Sequence, residues 1–230
     1  YSALVRVGTV AADLSIALSA PVIFAADDNY ELQTSVVGLG DASFLLVMNT
    51  AEEQEGAGPH HGPLTARVAS VAGQGAAAAV TLGAVSSFGN LAAFNMGAAR
   101  VDASTALLAY CDYSNNFGIS VVALRAGADG SVALTAALQL TSGQALGVVQ
   151  DQLQMDLDIE SFGGDQFVVT YSDISNSGVL TAATGALGAS AELTRTSPDL
   201  LLGAGNAQLD AVYQWQAVAV REGSEAHSAE

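Results

Sequence analysis

The eight residues Thr105-Ala106-Leu107-Leu108-Ala109-Tyr110-Cys111-Asp112 recur along this chain. Two further copies are Ser43-Phe44-Leu45-Leu46-Val47-Met48-Asn49-Thr50 and Gln166-Phe167-Val168-Val169-Thr170-Tyr171-Ser172-Asp173, and a weaker fourth is Gln216-Ala217-Val218-Ala219-Val220-Arg221-Glu222. The first three copies end at Thr50, Asp112 and Asp173, so the two steps between them are nearly equal. A constant period of this kind is typical of stacked or radial copies of one supersecondary unit. The repeat therefore predicts the fold and leaves the function open.

Each copy contains short apolar runs separated by Gly, Asp, Asn and Ser, a pattern that predicts four strands joined by tight turns. In the middle copy we expect strands at 98–101, 106–110, 119–124 and 131–140, with a polar loop at 112–116. In the first copy we expect strands at 35–37, 44–48, 64–71 and 76–82, with a longer loop at 49–63. In the third copy we expect strands at 155–159, 167–171, 179–183 and 190–195, with turns at 173–178 and 185–188.

The two ends of the chain each carry half of this unit. Residues 1–24 contain only a third and a fourth strand (3–7 and 14–18), and residues 207–222 contain only a first and a second (209–213 and 216–220). Pairing of the two halves would close a ring of sheets and remove its free edges.

The sequence thus predicts an all-β fold, a β-propeller of four-stranded antiparallel blades, with about four blades and the last shared between the termini. The alternative is an arc of a larger propeller. The expected divisions are a half blade at 1–30, blades at 31–90, 91–147 and 148–206, a half blade at 207–222, and a flexible acidic tail at 223–230. Because the chain begins at Tyr1 without an initiator Met, we expect a mature product or a fragment.

Composition narrows the class of partner. The chain has 23 acidic residues against six arginines, no lysine, and a net charge of −17, which argues against nucleic-acid binding. Half of the residues are apolar, enough for a core, but no apolar run is long enough to cross a bilayer, so no membrane insertion is expected. The simplest interpretation of the acidic surface is that it keeps the protein soluble. The alternative is that it binds divalent cations or a basic partner. The single cysteine, Cys111, excludes an internal disulfide.

Two hairpin loops carry the repeated motif. In the second copy Tyr110-Cys111-Asp112 precedes Asn115-Asn116 and Gly118, and in the third Tyr171-Ser172-Asp173 precedes Asn176 and Gly178. These copies resemble the degenerate propeller repeats of large secreted or surface proteins of marine microbes and algae, in which a Tyr-x-Asp strand end precedes an Asn- and Gly-containing hairpin. The first copy departs from the pattern with Met48-Asn49-Thr50. The resemblance implies a propeller fold and an extracellular or cell-surface setting, and it implies no reaction.

The same loops hold the candidate binding residues. Their carboxylate, hydroxyl and amide oxygens could bind a hard cation such as calcium, although each loop offers only one carboxylate. The alternative is that Asp and Asn cap the hairpins through Asx-turns. In a propeller such loops would lie on one face. The candidate ligand-binding residues are Asp112, Ser114, Asn115, Asn116, Asp173, Ser175 and Asn176.

Two other acidic stretches are possible sites. Glu52-Glu53-Gln54-Glu55 precedes His60 and His61, which together with Asp112 and Asp173 are the weak metal candidates; the alternative is a solvated insertion. Asp151, Asp156, Asp158 and Glu160 form an acidic run whose alternation predicts a solvent-facing or edge strand.

No Gly-x-Ser-x-Gly motif or phosphate-binding loop is present, and no cofactor is expected, with calcium as the one alternative. We predict a non-catalytic interaction or structural module that displays loops on one propeller face. Its partner would be a carbohydrate or a protein, or it would be a subunit of a larger extracellular assembly. The alternatives are a carbohydrate-active enzyme on the same scaffold and a calcium-dependent adhesin.

Overall fold

The computed structural model describes residues 2–26, 30–40, 42–54, 58–61, 63–89, 91, 93–115, 118–141, 157–162, 164–173 and 179–202. These residues form antiparallel β-sheets, with two single-turn 3-10 helices and no α-helix among them, which confirms the all-β prediction. In this described part of the chain no helix is long and apolar enough to span a membrane.

The strands fall into one partial unit and three larger sheets. The N-terminal unit contains β1 (Ser2–Val5), β2 (Gly8–Val10), β3 (Ile16–Leu18) and β4 (Val22–Ala26). The first sheet contains β5 (Tyr30–Gly38), β6 (Ser43–Gln54), β7 (Gly58–His61), β8 (Thr65–Ala72), β9 (Ala79–Leu82) and β10 (Ser86–Ser87). The second sheet contains β11 (Ala93–Arg100), β12 (Thr105–Asp112), β13 (Gly118–Ala126), β14 (Val132–Leu134) and β15 (Leu138–Gln139). The third sheet contains β16 (Leu157–Phe162), β17 (Gln166–Asp173), β18 (Val179–Leu187), β19 (Leu193–Arg195) and β20 (Leu200–Leu201).

The second and third sheets repeat one register. Tyr110 lies opposite Ser120 in the second sheet, and Tyr171 lies opposite Thr181 in the third, so both partners advance together by one repeat of the sequence. A further main-chain bond is repeated in all three sheets, where a residue of the third strand donates to the turn before the second strand at 2.7 Å. These bonds run from Val71 to Ala42, from Ala126 to Ser104 and from Leu187 to Asp165. The sequence repeat is therefore a structural repeat at the level of single hydrogen bonds.

The fourth strand of each unit is divided, which differs from the continuous strands predicted at 76–82 and 131–140. In the second sheet β14 pairs with the end of β13 and β15 with its beginning, and the same division separates β3 from β4, β9 from β10 and β19 from β20. The residue after the first half still donates its N–H to the third strand. These donors are Ser19, Gly83, Thr135 and Thr196, and their acceptors are the carbonyls of Val7, Val68, Ala123 and Thr184.

At three of these interruptions a hydroxyl group takes the place of a strand carbonyl. The N–H of Val7 donates to Ser19 Oγ at 3.0 Å, and the N–H of Ala123 donates to Thr135 Oγ1 at 2.9 Å. In the third sheet the N–H of Thr184 donates to Ser197 Oγ at 3.3 Å. A side-chain acceptor satisfies the third-strand N–H while the main chain bends away, so the strand can break without an unpaired buried donor.

Several predicted boundaries are wrong for local reasons. Residues 75–77 form a 3-10 helix, so the strand predicted at 76–82 begins only at Ala79. The strand predicted at 14–18 begins at Ile16 because Leu14 occupies the turn with φ 64°. Of the turn predicted at 185–188, residues 185–187 belong to β18, and Gly188 begins the actual turn, which its N–H closes on the carbonyl of Glu192. The loop predicted at 49–63 is largely a hairpin of β6 and β7.

The sheets pack face to face in chain order. One apolar cluster joins the N-terminal unit to the first sheet through Phe24, Leu46 and Ala69. A second joins the first and second sheets, and a third joins the second and third sheets. In β12 alternate residues enter different clusters, with Leu108 and Tyr110 in one and Leu107 and Ala109 in the other, so this strand is buried on both faces.

The first strands of the three sheets lie side by side. β11 contacts both β5 and β16, and Gly97 of β11 approaches β16 so closely that a Cβ atom would lie 3.3 Å from the Cα of Asp158. Glycine favours this close approach, because a Cβ atom there would require the backbone of β16 to shift by a few tenths of an ångström. The half unit predicted at 207–222 and the tail predicted at 223–230 lie outside the described residues.

Candidate functional site

Asp112, the principal candidate residue, lies at the end of β12 and is buried. Its Oδ1 accepts hydrogen bonds from the N–H and the Oγ of Ser114 at 3.0 and 2.5 Å. Its Oδ2 accepts from Ser120 Oγ at 3.2 Å, across the strand pair. Both carboxylate oxygens are thus engaged in closing the hairpin, which is the Asx-turn arrangement.

The same Asp-x-Ser bonding occurs at three exposed turns. Asp13 accepts from Ser15, Asp102 from Ser104, and Asp129 from Ser131, each through both the N–H and the Oγ of the serine. The serine hydroxyl is the leading cause of the lowered pKa of Asp129. Since the motif recurs where a turn needs closing, it explains Asp112 without a bound ion.

The rest of this loop is fixed by bonds to the end of the second sheet. Asn115 Nδ2 donates to the carbonyl of Thr141 at 3.1 Å, and Thr141 Oγ1 accepts from the N–H of Ile119 at 2.8 Å. Asp173 is half-buried at the end of β17, opposite Val179. The structure therefore brings Asp112, Ser114 and Asn115 together, while Asn116, Ser175 and Asn176 lie outside the described residues.

Two tyrosines and the cysteine beside these loops are core groups. Burial, and then the charge of Asp112, raises the pKa of Cys111 to about 12 and raises that of Tyr110 above its usual range. Burial and the neighbouring Asp199 likewise raise the pKa of Tyr171, whose hydroxyl donates to Asp199 Oδ1 at 3.0 Å. A thiol or phenol with so high a pKa is a poor nucleophile at neutral pH.

The stretch that contains the two histidines is a hairpin. Met48 is the last residue of β6 that pairs with β8. β6 continues for six residues beyond Met48, and β7 pairs with this continuation in the antiparallel direction. The backbone register sets Glu52 opposite His60, Glu53 opposite Pro59 and Ala51 opposite His61. At about 3.3 Å per residue, six residues carry β6 about 20 Å beyond its pairing with β8. On its other side β6 stays paired with β5 as far as Glu52.

The described residues contain no group of three or more His, Cys, Asp and Glu residues placed to hold a metal ion. The metal candidates His60, His61 and Asp173 stay predictions, since the absence of such a group does not exclude a single ligand.

The connections between second and third strands leave the three sheets at one end. Asn49, near the end of β6's pairing with β8, donates through Nδ2 to the carbonyl of Ala93, which lies opposite Asp112. At the other end Ser161 Oγ donates to the carbonyl of Arg100, near the beginnings of β17 and β12. Neighbouring sheets therefore have the same orientation, and the hairpin of β6 and β7 lies on the same side as the Asp112 loop.

The acidic run behaves as an edge strand in the part that is described. β16 is the edge of the third sheet among the described residues, and Asp158 and Glu160 are half-buried on it. Burial, and then the charge of Asp158, raises the pKa of Glu160. Asp151 and Asp156 lie outside the described residues.

Sequence reasoning missed the groups that join neighbouring sheets. Arg67 donates through Nη1 to the carbonyl of Phe24 at 3.1 Å, and Arg195 donates through Nη1 to that of Leu140 at 2.7 Å. The sequence marks the two acceptors but not the arginines, because each acceptor is an apolar residue five positions after the hydroxyl residue at which the fourth strand breaks, Ser19 or Thr135. Those acceptors are Phe24 and Leu140.

No family model, curated protein or solved structure matches this chain.

Proposed function

We propose that this chain is a non-catalytic interaction module of the β-propeller type, in which stacked sheets act as blades and hold their loops at one end for a partner. The support is the repeated arrangement of the sheets. They pack face to face in chain order, their first strands are neighbours, and the second and third share a register displaced by one sequence repeat. Radial repetition of four-stranded sheets is the architecture of a propeller.

The observation that carries the binding proposal is the hairpin of β6 and β7. It extends beyond the pairing of β6 with β8, at the end where the Asp112 loop also lies. The Asp112 loop is held by internal hydrogen bonds, so it offers a rigid base beside the projecting hairpin. Long insertions on rigid scaffolds are where proteins commonly place binding residues.

The composition of the hairpin favours a partner with a basic surface. Glu52, Glu53 and Glu55 stand within four residues of one another in a chain with a net charge of −17. Complementary charge accelerates and orients association with a basic protein surface. A carbohydrate is the second class of partner, and an extracellular or cell-surface setting rests on the repeat resemblance alone.

The experiment compares two variants of equal charge. Glu52→Gln/Glu53→Gln/Glu55→Gln changes the hairpin, and Glu192→Gln/Glu225→Gln/Glu230→Gln changes three acids elsewhere in the chain. Binding to an arginine-rich peptide and to an array of neutral polysaccharides is measured at physiological salt. We expect the hairpin variant to lose about tenfold in affinity for the peptide, about 1.4 kcal/mol, while the matched variant stays near wild type. Equal losses in both variants, or no binding by the wild-type chain, would overturn the proposal.

A further inference from the structure

The N-terminal unit has an unpaired edge, whereas the corresponding edge of each larger sheet is paired with a strand. β1 pairs with β4, and β2 pairs with β3, but no described residue pairs with the opposite edge of β1 and β2. In the three larger sheets the second strand occupies that edge, as β6 on β8, β12 on β13 and β17 on β18. An open edge next to a complete set of such pairings indicates a missing strand.

The outer face of this unit is also incomplete. Leu4 lies opposite Ile23, and Val10 opposite Ile16, and these four side chains are 56%, 57%, 63% and 65% exposed. At the positions that correspond to Leu4, the second and third sheets have Ser120 and Thr181, both completely buried. A cluster of exposed aliphatic side chains on so acidic a chain indicates a surface that packs against something.

We infer that residues 216–222 of this chain add to the open edge as an antiparallel strand, with Val220 opposite Leu4. The described part of the chain has one edge without a second strand. The sequence has one copy of the second-strand motif, residues 216–222, that no described sheet contains. Pairing of this copy with that edge within one chain accounts for both. This inference concerns the scaffold, and it stands or falls independently of what the hairpin of β6 and β7 binds.

The register follows from the repeated hydrogen bonds. The carbonyls of Val7, Ala123 and Thr184 each accept from the residue at which the fourth strand breaks, so these three residues occupy the same place. Leu4 precedes Val7 by three residues, as Ser120 precedes Ala123 and Thr181 precedes Thr184.

The partners of Ser120 and Thr181 are Tyr110 and Tyr171. Val220 holds the place of these tyrosines in the repeated motif, because Val220-Arg221-Glu222 aligns with Tyr110-Cys111-Asp112 and Tyr171-Ser172-Asp173. Val220 is therefore the residue expected opposite Leu4, and the same register sets Ala217 opposite Val7.

The packing agrees with that register. Val5 and Phe24 belong to the cluster between the N-terminal unit and the first sheet, whereas Leu4 lies on the exposed face. The alternation of 217–220 assigns Ala217 and Ala219 to the side that carries Val5, and Val218 and Val220 to the side that carries Leu4. The added strand would thus present small residues to the first sheet and extend the aliphatic outer face.

Hydrogen exchange of the full chain tests the inference directly. Val7 bonds to Ser19 through both its N–H and its carbonyl, so its neighbours Arg6 and Gly8 direct their N–H groups toward the open edge. We expect the Arg6 and Gly8 amides to exchange at least about a hundredfold more slowly than unstructured amides, because a paired strand must open before exchange. Exchange of both amides at unprotected rates, with Val7 still protected, would overturn the inference.

A proline pair identifies the strand that provides the protection. Val218→Pro removes the N–H that faces Arg6 in this register and disturbs the strand conformation within 216–222, whereas Ala226→Pro introduces a proline into the predicted tail. We expect the first variant alone to release the Arg6 and Gly8 amides. The chain should also be monomeric by light scattering across a hundredfold range of concentration. Protection that survives Val218→Pro, or that appears only in a dimer, would contradict pairing within one chain.

Discussion

Arg195 Nη1 donates to the carbonyl of Leu140 at 2.7 Å and so ties the third sheet to the second. Arg67 Nη1 makes the equivalent bond to the carbonyl of Phe24, from the first sheet to the N-terminal unit. Phe24 and Leu140 occupy equivalent positions in the repeat, since each follows by five residues the hydroxyl residue at which the fourth strand breaks, Ser19 or Thr135. Two of the chain's six arginines therefore bind equivalent carbonyls at two different junctions between successive units.

We expect Arg195→Lys to lower the free energy of unfolding by about 1–2 kcal/mol. Lysine cannot reproduce the planar set of donors with which Arg195 reaches Leu140, Ser197 and Asp199. The exposed ion pair with Asp199 should contribute little of this loss. Urea unfolding measures the effect, with Arg125→Lys on exposed Arg125 as the matched control. Equal losses in the two variants would show that the junction bond contributes nothing.

We expect Thr135→Val to lower the free energy of unfolding by about 1–3 kcal/mol, because it leaves the buried N–H of Ala123 without its acceptor. Thr135→Ser should retain most of the stability, since serine makes the equivalent bond to Val7 in the N-terminal unit. Thermal or urea unfolding measures both variants. Thr81→Val on the exposed side of β9 is the control, and a similar loss there would refute the assignment.

The turn residue Ala191 is held at φ 69°, in the left-handed region that Gly130 occupies at φ 79° in the equivalent turn of the second sheet. That conformation costs a non-glycine residue about 1–2 kcal/mol. We expect Ala191→Gly to stabilise the protein by about 0.5–1 kcal/mol, after the added flexibility of the unfolded chain is deducted. Ala189→Gly in the same turn lacks that benefit and should destabilise. A destabilising Ala191→Gly would show that strain at this turn is unimportant.

The repeat predicted the sheet organisation because hydrophobic alternation and turn residues act locally. Strand pairs such as β12 and β13 follow from the Tyr110 motif and its polar loop. The break of the fourth strand at Thr135 was missed because it depends on a tertiary contact. The hydroxyl group of Thr135 can replace a strand carbonyl only because the third strand lies beside it, and hydrophobic alternation does not report that contact. The hairpin of β6 and β7 was missed because Glu52 and His60 are poor strand formers that pair as an extension of an existing strand.

The candidate site was predicted in part for the same reason. Both explanations of Asp112, a cation ligand and an Asx-turn, use the same residues, and only the positions of Ser114 and Ser120 distinguish them. Serine spacing alone would have favoured the turn, because Asp-x-Ser also occurs at Asp13, Asp102 and Asp129.

Calcium should leave the melting temperature unchanged. Asp112 Oδ1 and Oδ2 already accept three hydrogen bonds, so a cation would have to displace Ser114 and Ser120 before it could bind. The measurement compares millimolar calcium with sodium chloride of equal ionic strength. A ligand that binds only the native state must raise the melting temperature. A rise of several degrees that Asp112→Asn abolishes would establish a calcium site in this loop.

Cys111 should report the opening of the second sheet. Burial, and then the charge of Asp112, raises its pKa to about 12, so at pH 8 the native thiol is almost entirely protonated. The unfolded thiol, with a pKa near 9.0, is far more reactive at that pH. We therefore expect alkylation by iodoacetamide to proceed only when the sheet opens, far more slowly than in urea.

The control for this measurement is a thiol on the surface of the same sheet. Ala103→Cys introduces one in the exposed turn between β11 and β12, and it should be alkylated within minutes while Cys111 is not. Because Cys111 is the chain's only cysteine, its labelling rate in the wild-type protein is unambiguous. Raising the pH from 8 toward 10 increases the native thiolate fraction tenfold per unit but leaves it small. Native Cys111 that reacted as fast as the introduced thiol would show that β12 is not enclosed on both faces by neighbouring sheets.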